Sequence, residues 1–190
     1  MGSKKDIRDT IRKQRLSLTS DQVSCFSESI IKHVIGFKPF LLAQTVAIYL
    51  PVGNEVDTSS LISHLDSLNK TICLPVVLPE HRLGFCRFRT GDSLQPGSFG
   101  ILEPQIREWL DIKDIDLFFM PLVGFDANGA RLGYGGGYYD RALSVLSGNK
   151  LKPVLVGLAF NFQEVALLPY AAHDVPLHYI VTENGIRCFV

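Results

Sequence analysis

The chain has 190 residues, 46% of them hydrophobic, and nineteen basic side chains balance nineteen acidic ones to a formal net charge of zero at pH 7. That length can bury a substantial core in one domain, expected over residues 1–190, and the balanced charge gives no bulk attraction to nucleic acid or to an anionic membrane. No apolar run approaches a membrane span, the start is polar rather than signal-like, and Asp6 stands where a myristoylation start after Met1-Gly2 needs Ser or Thr, so a soluble cytoplasmic protein is expected.

In chain order, residues 4–18 read as a helix with Ile7, Ile11 and Leu18 on one stripe and Lys4, Lys5, Arg8, Arg12, Lys13 and Arg15 as its cations. Spacing alone makes these a solvated face, although Lys4 and Arg8, four residues apart, can both reach one polyanion. Thr19-Ser-Asp-Gln22 offers a capping box for a second helix that buries Val23, Phe26, Ile30 and Val34 and ends at Gly36. Residues 45–50 form the first predicted strand, which Pro51 stops, and Asp57 or Thr58 can cap a helix running to about Leu68. Between them lies Val52-Gly-Asn-Glu55-Val-Asp57, at the carboxyl end of a strand, where open α/β sheets bind ligands. Read alone, Glu55 is either a solvated carboxylate or a charge well placed before a helix N-terminus.

Residues 71–78 and 83–89 are β-like and separated by Pro79-Glu-His-Arg, a hairpin or a crossing loop. In Phe99-Gly-Ile-Leu-Glu-Pro104 the phenylalanine is expected in the core, and Trp109 has no evident role. Strands follow at residues 116–121, 153–160 and 177–182, and a helix at 138–146 with Gly148 as its left-handed stop. Strands interleaved with helices predict a three-layer α/β/α domain with a largely parallel sheet, mixed at the hairpin. The four cysteines are widely spaced, without a C-x-x-C pair or a histidine at zinc-finger spacing, and are expected as buried free thiols.

The glycine-rich stretch Arg131-Leu-Gly-Tyr-Gly-Gly-Gly-Tyr-Tyr-Asp140-Arg141 lies between a strand and a helix. Such glycines can simply make a tight turn, but they also let backbone N–H groups approach a phosphate closely. Neither common phosphate fingerprint fits: Tyr138 stands where a dinucleotide motif starting at Gly133 needs its third glycine, and no Gly-Lys-Ser/Thr follows.

The longer string from Asp126 to Arg141 resembles the signature of the 5-formyltetrahydrofolate cyclo-ligase family, also called 5,10-methenyltetrahydrofolate synthetase. The resemblance extends to the basic segment 4–15, to Tyr49-Leu-Pro-Val-Gly-Asn-Glu55-Val-Asp, to Phe99-Gly-Ile-Leu-Glu-Pro104 and to His173-Asp-Val-Pro-Leu-His-Tyr-Ile-Val-Thr-Glu183. It implies a Rossmann-like fold and ATP-dependent closure of 5-formyltetrahydrofolate to the methenyl compound. It also implies ATP contacts from Lys4, Lys5, Asp6, Ile7 and Arg8 and from Arg131, Leu132, Gly133, Tyr134, Gly135, Gly136, Gly137, Tyr138 and Tyr139. Folate contacts are implied for Leu50, Glu55 and Tyr138, catalytic roles for Arg131, Lys4 and Tyr138, and a magnesium ion for Asp140, with Asp174 as a weaker second ligand. His178 stands where many relatives have an aspartate, and neutral imidazole is a poor magnesium ligand. The partners so implied are ATP and the folate, with no nucleic acid, membrane or obligate protein partner. Two other readings stay open on the residues alone: a sugar-phosphate isomerase or transferase, which needs an acid–base pair beside the glycine loop, and a folate or nucleotide binder without turnover.

Overall fold

The computed structural model describes residues 3–146, 153–171 and 174–189. The expected stop at Gly148, and His173 in the last matched segment, lie outside the described residues. Helices are α1 (Lys4–Leu16), α2 (Ser20–Ile35), α3 (Lys38–Leu42), α4 (Ser59–Ser67) and α5 (Tyr138–Ser144). Strands are β1 (Thr45–Ala47), β2 (Thr71–Leu78), β3 (Arg82–Phe88), β4 (Leu94–Pro96), β5 (Leu102–Pro104), β6 (Trp109–Leu110), β7 (Leu117–Met120), β8 (Gly124–Asp126), β9 (Arg131–Leu132), β10 (Val154–Leu158), β11 (Glu164–Val165), β12 (Tyr179–Thr182) and β13 (Gly185–Cys188).

The main sheet runs β13-β12-β10-β7-β1-β2-β3-β6. Its central strands, β12 through β2, pair in parallel, and β13, β3 and β6 add antiparallel edges. The expected mixed sheet is therefore present, with β2 and β3 as an antiparallel hairpin. Side chains alternate across it as the pleat requires. Leu117 and Phe119 join Val46, Ile30, Phe40 and Leu61 in the core under α2, α3 and α4, whereas Phe118 and Met120 join Ala47, Cys73 and Leu143 in the core under α5. Both faces are covered, which is why β7 reads as an unbroken apolar run.

Capping sets where the helices start. Thr19 and Gln22 form the expected capping box of α2, and Ser3 and Asp6 form another on α1. Thr58 does not cap α4. Its buried hydroxyl donates to the Tyr49 carbonyl at 2.7 Å, and Asp57 instead accepts from the Ser59 amide at 2.9 Å. The strand expected to reach Leu50 pairs regularly only over Thr45–Ala47, so beyond Cys73 β2 keeps β3 on one side and loses its β1 neighbour on the other. Pro75, which has no amide to offer a neighbour, falls where the β1 side of β2 is unpaired.

A small sheet, β11-β8-β9, aims the glycine loop. Asp126, at the end of β8, is 1% exposed, and its carboxylate accepts from the amides of Asn128 (2.9 Å), Ala130 (3.1 Å) and Leu168 (2.9 Å). Three backbone donors satisfy the buried charge and fix the turn that leads to Arg131. Replacing Asp126 by Ala strands those amides and should destabilise the fold by about 3 kcal/mol, read as a lower midpoint of urea denaturation.

Candidate active site

A cavity of about 620 Å³ opens at the carboxyl ends of β1 and β7. Leu50, Pro75, Val77, Leu83 and Ile101 give it apolar walls, and Arg12, Glu55, His81, Arg131 and Asp140 bring polar groups to it. Its size and its mixture of apolar walls with a few convergent polar groups suit a small-molecule ligand.

One side of the cavity is the glycine loop. Gly135 (φ 103°) and Gly137 (φ 64°) take left-handed backbone that a side chain would strain. Arg8 donates from Nε to the Gly133 carbonyl at 2.8 Å, and Arg141 holds the other end through the carbonyls of Gly136 and His81. Behind the loop, Arg131 donates to Asp140 Oδ1 at 2.6 Å and to the Val175 carbonyl, while the Val175 amide donates to the same Oδ1 at 3.1 Å. Lys4 pairs with Asp174 at 2.9 Å. Burial lowers the proton affinity of the Arg131 guanidinium, and the neighbouring Asp140 opposes that effect.

The opposite side is built on Glu55, which is 6% exposed rather than solvated. Its Oε2 accepts the Val52 amide at 2.8 Å, its Oε1 accepts the Tyr134 hydroxyl, and Arg15 lies 3.8 Å away. Burial pushes the Glu55 carboxyl up, and the Tyr134 hydroxyl, the Val52 amide and the Arg15 charge pull it partly back. At the mouth, Tyr138 meets His81 (centroids 5.6 Å apart) and Phe99 (6.0 Å). The Cys73 thiol is buried, and desolvation pushes it well up, which disfavours a thiolate there.

A model of the 5-formyltetrahydrofolate cyclo-ligase family matches residues 1–183. The chain belongs to that family. It is 37% identical over 182 residues to the 5-formyltetrahydrofolate cyclo-ligase of Haemophilus influenzae, covering 94% of this chain and 96% of the other. To the enzyme of that name from Escherichia coli K12 it is 34% identical over 180 residues, covering 93% and 98%. The NMR structure of Aquifex aeolicus 5,10-methenyltetrahydrofolate synthetase superposes with a TM-score of 0.85 at 33% identity, covering 98% of this chain and 92% of that one.

Of the residues that the cyclo-ligase resemblance singles out, Leu50, Glu55, Arg131, Gly133, Tyr134, Gly136, Gly137, Tyr138, Tyr139 and Asp140 line the cavity. Lys4 and Arg8 stand behind the loop, engaged with Asp174 and Gly133, and Gly135 lies beside the Arg8 guanidinium. Lys5 is exposed and Asp6 is occupied by the capping box. Ile7 and Leu132 pack with Ala130 and Leu168 in a small apolar cluster.

Three expectations need correction. Phe99 is not core: it is 73% exposed with a left-handed φ of 59°, because the residue sits on a tight turn at the cavity mouth. Cys25 and Cys188 are exposed, and only Cys73 and Cys86 are buried. Arg15, grouped with the solvated cations of α1, is 6% exposed. A signal for it existed, since position 15 follows Ile11 by four residues and so continues the apolar stripe. Arg12 and His81 also line the cavity, and neither was assigned a contact from the sequence.

The raised Glu55 carboxyl gives a signed pH dependence. Between the unfolded and the folded pKa the native state holds more protons than the unfolded chain, so this residue makes stability fall as pH rises through that window. Comparing urea midpoints from about pH 5 to about pH 8, Glu55→Gln should remove that component of the decline while other groups contribute equally to both proteins.

Proposed function

We propose that the protein is an ATP-dependent ligase, acting as one domain over residues 1–190 in the cytoplasm, which converts 5-formyltetrahydrofolate to 5,10-methenyltetrahydrofolate with release of ADP and phosphate. The observation that carries this reading is a single cavity bounded by the family's glycine loop on one side and its Glu55 loop on the other. A phosphoryl donor and its acceptor can meet there without bulk water between them.

The chemistry explains why ATP is needed. A formamide carbonyl is poorly electrophilic because the nitrogen lone pair is delocalised into it, and oxide is not a viable leaving group. Transfer of the γ-phosphoryl group to the formyl oxygen gives an iminium phosphate. Nitrogen 10 attacks its carbon, forming the new C–N bond; after loss of the nitrogen 10 proton, phosphate leaves with the C–O bonding pair. No side chain must act as a nucleophile, so the protein's task is to position the reactants and to compensate charge.

In this assignment ATP lies along residues 131–139 with its phosphates toward Lys4, Arg8 and Arg131. Glu55 accepts N–H groups from the pterin, Leu50 borders the folate, and Tyr138 offers an aromatic surface to it. Asp140 suits a magnesium ion. Its Oδ1 is held by Arg131 and Val175, whereas Oδ2 accepts no hydrogen bond among the described residues and the side chain faces the cavity. One such hard oxygen fits an ion held mostly by phosphate oxygens and water, and the ion would supply further charge neutralisation on the phosphates. Asp174 is the weaker ligand because it pairs with Lys4 and, unlike Asp140, is not among the residues that line the cavity. The His178 Nδ1 accepts the Leu155 amide at 2.9 Å, a structural engagement that supports its exclusion as a ligand.

The deciding experiment follows the absorbance of the conjugated methenyl product from 5-formyltetrahydrofolate, with ATP and magnesium omitted in turn. Product formation should require both; product without ATP overturns the mechanism, and binding without turnover favours the non-catalytic binder. Asp140→Asn keeps an oxygen for Arg131 and Val175 and should raise the magnesium requirement about tenfold or more, Asp174→Asn should raise it modestly, and His178→Ala should change it little.

The glycine loop supplies a cleaner test of ATP placement than its strained members do. A Cβ added at Gly133 meets nothing within 4 Å, and its φ is not left-handed. Gly133→Ala should thus keep stability within about 0.5 kcal/mol of wild type while weakening ATP about tenfold, as measured by calorimetric titration. A Gly133→Ala protein with unchanged ATP affinity places the phosphates elsewhere.

A further inference from the structure

Arg15 is unusual for its position. Its neighbours Arg12, Lys13 and Gln14 are exposed, yet its guanidinium is buried, and its Nε has no hydrogen-bond partner. Buried guanidinium groups are rare unless paired, and an apolar side chain commonly serves the fold equally well. Here Nη1 donates to the Tyr134 hydroxyl at 2.7 Å, and that hydroxyl donates to Glu55 Oε1. The Arg15 guanidinium also lies 5.6 Å from the centroid of the Tyr134 ring. Asn54 donates to the carbonyls of Arg15 (3.1 Å) and Leu18 (2.9 Å), which fixes the end of α1 against the loop that carries Glu55.

We infer that Arg15 is a positioning residue for the folate: through Tyr134 and its own charge it keeps the Glu55 carboxylate charged and oriented to accept N–H groups in the cavity. The inference rests on the reading that Glu55 faces the pterin. With one donor on each oxygen, an ionised Glu55 keeps acceptor capacity on both, whereas a protonated one turns an acceptor into a donor. Desolvation drives Glu55 toward that protonated form. The groups facing it are Arg15 from α1, Tyr134 from the glycine loop, Tyr49 from the segment after β1 and Tyr139 from α5; burial pushes all three tyrosines up, so Arg15 is the charge among these four. Because Tyr134 belongs to the glycine loop, the same contact sets the spacing between the two sides of the cavity.

The test uses the full chain labelled with 13C at the glutamate side-chain carboxyl, the Glu55 signal being assigned by its loss in Glu55→Gln. In Arg15→Met the Glu55 titration should move up, because a charge that lowers it and the anchor of the Tyr134 hydroxyl are both lost, and kcat/KM for 5-formyltetrahydrofolate should fall about tenfold or more with its acidic limb displaced in the same direction. KM for ATP should rise by clearly less than the folate kcat/KM falls, and Arg15→Lys should restore part of the loss. Tyr134→Phe removes only the linking hydroxyl, and if Arg15→Met does not fold it serves as the test, with a displacement of the same sign. An unmoved Glu55 titration in the folded variant overturns the inference. So does a displaced titration with unchanged folate kinetics, or an equal loss toward ATP and folate. The titration needs no turnover, so a wild type that makes no methenyl product overturns the proposed function while the Glu55 signal still decides the role of Arg15.

Discussion

Two guanidinium groups, two helical turns apart on one face of α1, hold that helix against the glycine loop, and the cavity depends on this clamp. Arg8 takes the Gly133 carbonyl and Arg15 takes the hydroxyl of the next residue, Tyr134. An isolated glycine-rich segment has high conformational entropy and would sample many shapes. Anchored at consecutive residues from one side, by Arg141 from the other and by the Asp126 turn upstream, it presents one shape. The N-terminal helix thus becomes part of the site although its direct share of the cavity lining is a single residue, Arg12.

The sheet contributes by stopping early. Because β1 pairs only through Ala47, the space beside the later part of β2 is left to Pro75 and Val77 as cavity wall, and the chain after β1 turns to carry Glu55. Glu55 is then costly to keep charged, and the surrounding Tyr134, Val52 and Arg15 offset part of that cost. A second arrangement of this kind holds Asp140, whose Oδ1 is fixed by Arg131 and Val175 while the side chain faces the cavity. Each carboxylate is held by neighbours before a ligand arrives, which is the preorganisation that a reaction driven by positioning needs.

Among the described residues no helix is long and apolar enough to cross a membrane, in keeping with the absence of a long apolar run in the sequence. The helices α1, α2, α4 and α5, the parallel strands and the β2–β3 hairpin were legible because each carries a local cause: an apolar stripe, the capping box at Thr19, a proline stop after the first strand, and apolar runs buried on both faces, whereas the five-residue helix α3 was not. The two- to four-residue strands β8, β9, β11 and β13 were not, since so few residues carry no periodicity and their pairing is decided by distant partners.

The same division runs through the site. The sequence by itself determined which chemical groups were present and their order: the glycine run that permits left-handed backbone, the carboxylates at 55 and 140, and the basic helix ahead of them, patterns long enough to identify the family. Only the tertiary structure decided that Arg15 is buried while Arg12 is not, that Phe99 stands at the mouth instead of in the core, and that Glu55 is shielded by a tyrosine seventy-nine residues away. The physical reason is that burial and pairing depend on what the rest of the chain brings alongside a residue, and a charge on a helix stripe reads alike in sequence whether its partner is water or a carboxylate.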